Sequence, residues 1–275
     1  MKKLLILLVV MVSVGCAPTP SKDEVNQPYA DVDGTIGVVV MHGKGGTPNS
    51  KIRGLVSTLK KSGFHAVAPE MPWSGYRGVP KYRASVDDAY GEIAGYISQL
   101  RKEGAEHVFL AGHSLGANMA LSYATHEGQV DGVIGIAPGH IVGGRFHQRS
   151  TEESVLAAQT MIGQGSGKEV TDFKDYNMGR KFEVQTTPLI YQSYFDPEGK
   201  ANFFTNIAAL KEIPILWIAP DKDKVTVMGL AKRIYMQASD HPLNRYQLIR
   251  SDHGSAPAKS ASLVMRWMEE VVGKR

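Results

Sequence analysis

Cysteine is nearly absent from this chain, because Cys16 is the only one among 275 residues. A disulfide within the chain is therefore excluded. An excess of one charge is also missing, since 31 Lys and Arg stand against 27 Asp and Glu and give a formal net charge of +4. We therefore expect no nucleic-acid partner. The apolar run at residues 4–14 is too short to span a bilayer as a helix.

The overall composition is that of a folded globular protein. Apolar residues make up 43% of the chain and charged residues 21%, which excludes a disordered polypeptide. A length of 275 residues suits one α/β domain with a full core.

The first residues are typical of an export signal. Lys2 and Lys3 precede the apolar run, and small residues follow at 15–17. The alternative is a buried N-terminal strand or helix, but the order of the segments favours a signal peptide over residues 1–15.

The run Val-Ser-Val-Gly-Cys, which ends at Cys16, resembles the lipobox of bacterial lipoproteins. The resemblance implies that Cys16 is lipidated and becomes the mature N-terminus. It predicts a membrane-anchored lipoprotein on the periplasmic side of the bacterial envelope. Ser13 and Gly15 also suit ordinary signal cleavage, which would give a periplasmic or secreted protein.

The rest of the chain divides into a tether and one folded domain. Residues 16–33 are rich in Pro, Ser, Thr, Asn and charge and predict a tether. Residues 34–275 alternate between short apolar runs and segments of helical length, which predicts an α/β fold with a mostly parallel sheet flanked by helices. The predicted strands are 35–41, 64–68, 107–111, 130–137, 213–219 and 246–250, and the predicted helices are 50–62, 84–102, 115–125, 227–238 and 256–272.

Residues from 141 to about 207 interrupt this alternation. Glycines and polar residues come first, and an aromatic group follows. An insertion of this length in a compact domain is usually functional or contains helices of its own. We interpret this insertion as a small cap over a functional site. The aromatic group is expected to anchor the cap to the sheet; its members are Tyr191, Tyr194, Phe195, Phe203 and Phe204.

The strongest chemical signal is Gly-His-Ser-Leu-Gly at residues 112–116. It is a G-x-S-x-G pattern between a predicted strand and a predicted helix, where a sharp turn exposes the serine to substrate. This context predicts Ser114 as a nucleophile. The alternative is an ordinary glycine-rich turn in which Ser114 caps the helix.

A serine nucleophile needs a base and an acid that orients the base. His253 follows the last predicted strand and is the predicted general base. The other eight histidines are assigned to hydrogen-bonding or surface roles. Asp221 and Asp223 both follow the strand at 213–219, and the order Ser, Asp, His is typical of this fold. Asp252 is too close to His253 in the chain to fold back onto its ring.

Oxyanion stabilisation requires preorganised backbone amides. We expect one from Leu115, directly after the nucleophile, and one from Lys44 in the loop His-Gly-Lys-Gly-Gly at 42–46. The alternative is that this loop binds a phosphate, but it lacks the glycine spacings of the known phosphate-binding loops.

With these motifs the chain resembles the α/β-hydrolase superfamily from about Thr35 onwards. The segment 68–75, Ala-Pro-Glu-Met-Pro-Trp-Ser-Gly, is similar to the Asp-x-Pro-Gly-x-Gly stretch of that family, with Glu and Trp as departures. The family position of the acid favours Asp223 over Asp221.

The resemblance implies hydrolysis of a carboxylic ester or related acyl bond through an acyl-enzyme, with a small-molecule or lipid-like substrate and no metal or organic cofactor. An acyltransferase or peptidase with the same triad, or a non-catalytic envelope binding protein, remains as the alternative because the fold serves many functions.

Overall fold

The computed structural model describes residues 35–274. The expected signal peptide, Cys16 and the tether lie outside these residues. In chain order the strands of the described part are β1 Ile36–Met41, β2 His65–Val67, β3 Gly75–Tyr76, β4 Val79–Pro80, β5 His107–His113, β6 Gly132–Ile136, β7 Thr171–Asn177, β8 Arg180–Thr186, β9 Ile215–Pro220 and β10 Arg245–Ile249.

The helices of the same part are α1 Arg53–Lys61, α2 Val86–Lys102, α3 Leu115–His126, α4 Arg145–Gly163, α5 Pro188–Phe195, α6 Phe203–Ala209, α7 Met228–Tyr235, α8 Ala256–Lys259 and α9 Ala261–Gly273. The helix predicted over 256–272 is in fact two helices, α8 and α9, which meet at Ser260. None of the helices in residues 35–274 has the length and apolar character needed to cross a membrane.

The central sheet has six strands in the order β10-β9-β6-β5-β1-β2, and each neighbouring pair is parallel. Strand β1 illustrates how an apolar sequence fits such a sheet. Its side chains alternate between two apolar clusters, with Val39 and Met41 in one and Val38 and Val40 in the other. A strand that is buried on both faces needs a continuous apolar sequence rather than an alternating one. The predicted parallel α/β fold is confirmed.

Helices cover both faces of this sheet. Helices α1, α8 and α9 contribute apolar side chains to one cluster, and α2 and α3 contribute to the other. Helix α2 begins at a capping box, in which the Ser85 hydroxyl accepts from the Asp88 amide and the Asp88 carboxylate accepts from the Ser85 amide. This cap fixes the start of α2 two residues later than the sequence indicates.

The segment between β6 and β9 contains α4, the antiparallel hairpin β7–β8, α5 and α6. The hairpin was not predicted. Stacked rings join its inner face to α5, with centroids 4.4 Å apart for Phe173 and Tyr191 and 4.2 Å apart for Tyr191 and Phe195. The predicted aromatic group is buried in or beneath this segment, apart from the half-buried Phe204.

Candidate active site

Ser114 is the single residue that turns the chain from β5 into α3. Its backbone has φ +55° and ψ −119°, a conformation that costs a non-glycine residue about 1–3 kcal/mol. The flanking glycines allow this turn. A Cβ on Gly112 would lie 2.1 Å from the Gly116 carbonyl oxygen, and a Cβ on Gly116 would lie 2.6 Å from the Met41 carbonyl oxygen. The sharp turn therefore requires glycine at both positions.

His253 follows β10 and lies against the acid that follows β9. Its Nδ1–H donates to Asp223 Oδ2 at 2.9 Å, and both side chains are buried. The other carboxylate oxygen of Asp223 accepts from the amides of Val225 and Thr226, which fixes the acid in place. Asp221 accepts instead from the Ser251 amide at 2.9 Å. Of the two candidate acids, Asp223 is the one that contacts the imidazole.

Ser114 and His253 both line one cleft of about 580 Å³ at the carboxyl ends of the parallel strands. This edge is where ligands bind in open α/β sheets. Within residues 35–274 the Ser114 hydroxyl and the His253 ring do not form a hydrogen bond. Such bonds are often long or misaligned before substrate binds and tighten in the substrate complex.

The two predicted oxyanion donors lie beside Ser114. The loop after β1 is held by hydrogen bonds from the Gly45 amide to the Trp73 carbonyl and from the Gly46 amide to the Gly43 carbonyl. Among the described residues, neither the Lys44 amide nor the Leu115 amide has a protein acceptor. Lys44 also lines the cleft. Both amides are therefore free to bind an oxygen of the substrate.

The side chain of Lys44 has a separate role that the sequence does not reveal. Its ammonium is buried and lies 2.6 Å from Asp175 Oδ1 on the cap strand β7, and it also donates to the Tyr176 carbonyl. Tyr82 donates to the other Asp175 oxygen at 3.1 Å. Burial lowers the pKa of Lys44, and the nearby Asp175 charge opposes that shift. This ion pair ties the predicted oxyanion loop to the cap.

His113, the residue before Ser114, makes a second contact whose partner the sequence does not reveal. Its Nε2–H donates to the His253 carbonyl at 2.9 Å, and the two rings are 4.8 Å apart. Burial lowers the pKa of His113 to about 3, with the neighbouring His253 as the next cause. His113 is therefore neutral at physiological pH and supports the loop that carries His253. Its position next to Ser114 was the available signal.

His42 begins the predicted oxyanion loop and is fully buried beneath it. Its Nε2 accepts from the Met71 amide at 3.2 Å, and its Nδ1 lies 2.9 Å from the Gly43 carbonyl. Burial lowers its pKa. A neutral His42 thus connects this loop to the segment at 68–75. Among the described residues, no group of three or more His, Cys, Asp or Glu side chains could hold a metal ion.

Comparisons with known proteins agree with this geometry. Residues 35–164 match a family model described as serine aminopeptidase. A thermostable monoacylglycerol lipase from Bacillus sp. strain H-257 is 27% identical over 117 residues, which are 40% of this chain. The match covers 43% of that lipase, so the chain aligns with less than half of its curated relative.

Solved structures share the fold over most of the chain. The Paleococcus ferrophilus monoacylglycerol lipase has a TM-score of 0.61 at 19% identity, covering 88% of this chain and 96% of the lipase. The esterase domain of a Rhodothermus marinus protein has a TM-score of 0.59 at 16% identity, covering 89% and 90%. With the parallel sheet and the serine turn, these similarities show that the chain has the α/β-hydrolase fold.

Proposed function

We propose that this protein is a serine hydrolase that cleaves a carboxylic ester or related acyl bond through an acyl-enzyme. The observation that carries the proposal is the 2.9 Å hydrogen bond from His253 to Asp223, together with the presence of His253 and Ser114 in one cleft. The bond leaves Nε2 of His253 free to take the serine proton.

In the first half-reaction, His253 Nε2 accepts the proton of Ser114 while Oγ attacks the acyl carbon. Negative charge then develops on the former carbonyl oxygen, and the amides of Lys44 and Leu115 donate to it. One such donor is worth about 3 kcal/mol of transition-state stabilisation. Asp223 keeps the imidazole in the Nδ1–H tautomer and stabilises the imidazolium that forms.

The protonated His253 then gives its proton to the leaving alcohol, and the carbon–oxygen bond of the ester breaks. In the second half-reaction the same imidazole takes a proton from water, which attacks the acyl-Ser114 carbonyl. Collapse of this intermediate releases the acid and returns the proton to Ser114.

The similarity to monoacylglycerol lipases and esterases supports an ester substrate with a small or lipid-like acyl group. The cleft volume of about 580 Å³ is within the range of pockets for small molecules.

The triad is tested with a fluorophosphonate probe and short p-nitrophenyl esters. Ser114→Ala should abolish both labelling and ester cleavage. Asp223→Asn should lower kcat about 10⁴-fold, because the imidazole would be held in the wrong tautomer. Asp221→Asn is the matched control, since its carboxylate binds the Ser251 amide rather than the ring. Labelling that persists in Ser114→Ala would move the nucleophile elsewhere, and equal losses in the two Asp variants would contradict the assignment of Asp223.

A peptidase is the second candidate, because the matched family model is described as a serine aminopeptidase. An aminopeptidase must bind a protonated amine next to the scissile bond. Four cations and one carboxylate line the cleft beside the paired Lys44, a balance that repels such an amine. Aminoacyl p-nitroanilides compared with esters of the same acyl group separate the two activities. An acyltransferase would instead release less free acid when an acceptor alcohol is added.

For the location of the protein we propose export and lipidation of Cys16 in the bacterial envelope. The support is the order of charged, apolar and small residues at 1–17. Membrane fractionation of wild type and Cys16→Ser tests it. Wild type should sediment with membranes and the variant should be soluble, whereas identical partitioning of both would contradict lipidation.

A further inference from the structure

The cleft carries a strong excess of positive charge. Lys51, Arg77, Lys222 and Lys224 line it with exposed side chains, and none of the four forms an ion pair with another residue in the range 35–274. The ammonium of Lys44 is already paired with Asp175 and is not part of this group. The four side chains are therefore uncompensated cations around a concave site.

A single carboxylate belongs to the described cleft lining, that of Asp252. It is engaged at the start of α8, where its two oxygens accept from the amide and the hydroxyl of Ser255. Clefts lined by one sign of charge concentrate ligands of the opposite sign and accelerate their association. The cleft thus favours an anionic ligand.

Three of these cations lie on the His253 side of the cleft. The end of the Lys51 side chain covers Gly254, because a Cβ built there would lie 3.2 Å from Cε and 3.4 Å from Nζ. Lys222 and Lys224 flank Asp223, and the Lys222 amide donates to the Ser251 carbonyl at 3.0 Å. The fourth cation, Arg77, lies at the tip of the β3–β4 hairpin.

This placement bears on the two halves of an ester. A general acid must lie within hydrogen-bond reach of the oxygen that it protonates, so the leaving alcohol lies on the His253 side. From this geometry we infer that the preferred ester carries an anionic group, a carboxylate or a phosphate, on its alcohol part. The inference rests on the proposed function, because it assigns His253 the protonation of the leaving group.

Kinetics on matched esters test the inference. We would compare 1-hexanoylglycerol with 1-hexanoylglycerol 3-phosphate and with the hexanoyl ester of glycolic acid, all with the same acyl group. At low salt kcat/KM should be about tenfold higher for both anionic alcohols, as expected from several exposed charge pairs acting together. High salt should bring the anionic-to-neutral ratio of kcat/KM close to one, because the Debye length falls to about 3 Å at 1 M. A parallel pair, p-nitrophenyl butyrate and hemisuccinate, places the charge on the acyl side and should show a smaller preference.

The variants Lys51→Met, Lys222→Met and Lys224→Met, made singly and together, remove the charges while keeping similar side-chain length. Each should lower the anionic-to-neutral ratio, and the triple variant should bring it close to one. Lys51→Arg retains the charge and should retain the ratio. Lys61→Met on α1 is the matched control, because this exposed lysine lies outside the cleft lining, and it should leave the ratio unchanged.

Labelling of Ser114 with the fluorophosphonate distinguishes failure of this inference from failure of the proposed function. A labelled, active enzyme with a ratio at or below one would overturn the inference and leave the proposed function intact. A ratio that persists in the triple variant would also overturn the inference. Absence of both labelling and ester cleavage would overturn the proposed function, and the inference with it. A preference for only one of the two anionic alcohols would support the inference and identify the anion.

Discussion

Asp175→Asn should destabilise the protein strongly, although it changes the shape of the side chain very little. The substitution keeps the shape of the side chain and an oxygen for Lys44, but it removes the charge that pairs with a fully buried ammonium. Breaking a buried pair from one side leaves an uncompensated charge, which costs about 3–5 kcal/mol. Lys44 keeps its bond to the Tyr176 carbonyl and its position over the Tyr176 and Phe195 rings, each 5.3 Å away.

These remaining contacts place the expected loss at the lower end, about 3 kcal/mol. In a domain of this size each kcal/mol shifts the melting temperature by about 2–4 °C, so Tm should fall by roughly 6–12 °C. The loss should also depend on pH. The pKa of Lys44 is lowered in the fold, and removal of the Asp175 charge lowers it further. Between that pKa and the ordinary lysine value the unfolded chain binds more protons, so the stability of the variant rises with pH and its deficit shrinks.

The assay is urea and thermal denaturation of Asp175→Asn, Lys44→Met and the double variant from pH 7 to pH 10. The double variant should lose less stability than the sum of the single losses, because it contains no lone buried charge. Glu153→Gln, which breaks the exposed pair with Lys174, is the control and should have little effect. Additive losses in the double-mutant cycle, or a deficit that is constant with pH, would refute the reasoning.

Two further substitutions test the supports of the site. Gly112→Ala should cost about 3 kcal/mol in urea denaturation, because its Cβ would meet the Gly116 carbonyl oxygen at 2.1 Å, and a variant as stable as wild type would contradict the packing of this turn. His113→Phe keeps a ring but removes the hydrogen bond to the His253 carbonyl, so kcat/KM should fall about tenfold, and unchanged kinetics would exclude a positioning role. Because the folded pKa of His113 is about 3, wild-type stability should decline as pH falls from about 6.5 towards 3, and His113→Phe should decline less steeply over this range.

Much of the fold could be predicted because it depends on local patterns. Buried parallel strands need apolar runs such as Ile36–Met41. Amphipathic helices such as Val86–Lys102 need apolar residues three or four positions apart. The cap hairpin escaped prediction because its strands carry many charges and lack an apolar run, with only Phe173 and Asp175 buried on β7. The signal available in the sequence was Gly179. It lies in the turn Met178-Gly179 between the two strands, where both residues have positive φ.

The serine turn was also predictable, because glycines at 112 and 116 are a local requirement of its backbone. The choice between Asp221 and Asp223 depended on a family resemblance. Their hydrogen bonds distinguish them physically, since one accepts from the Ser251 amide and the other from the His253 ring.

By itself the sequence determined the elements that end at the cleft, because hydrophobic period and turn geometry act over a few residues. Tertiary structure alone decided the supporting contacts around Ser114, Asp223 and His253. Lys44 and Asp175 are 131 residues apart, and His113 and His253 are 140 apart. No local pattern encodes such pairs, since each forms only when the sheet and the cap bring distant loops to one edge.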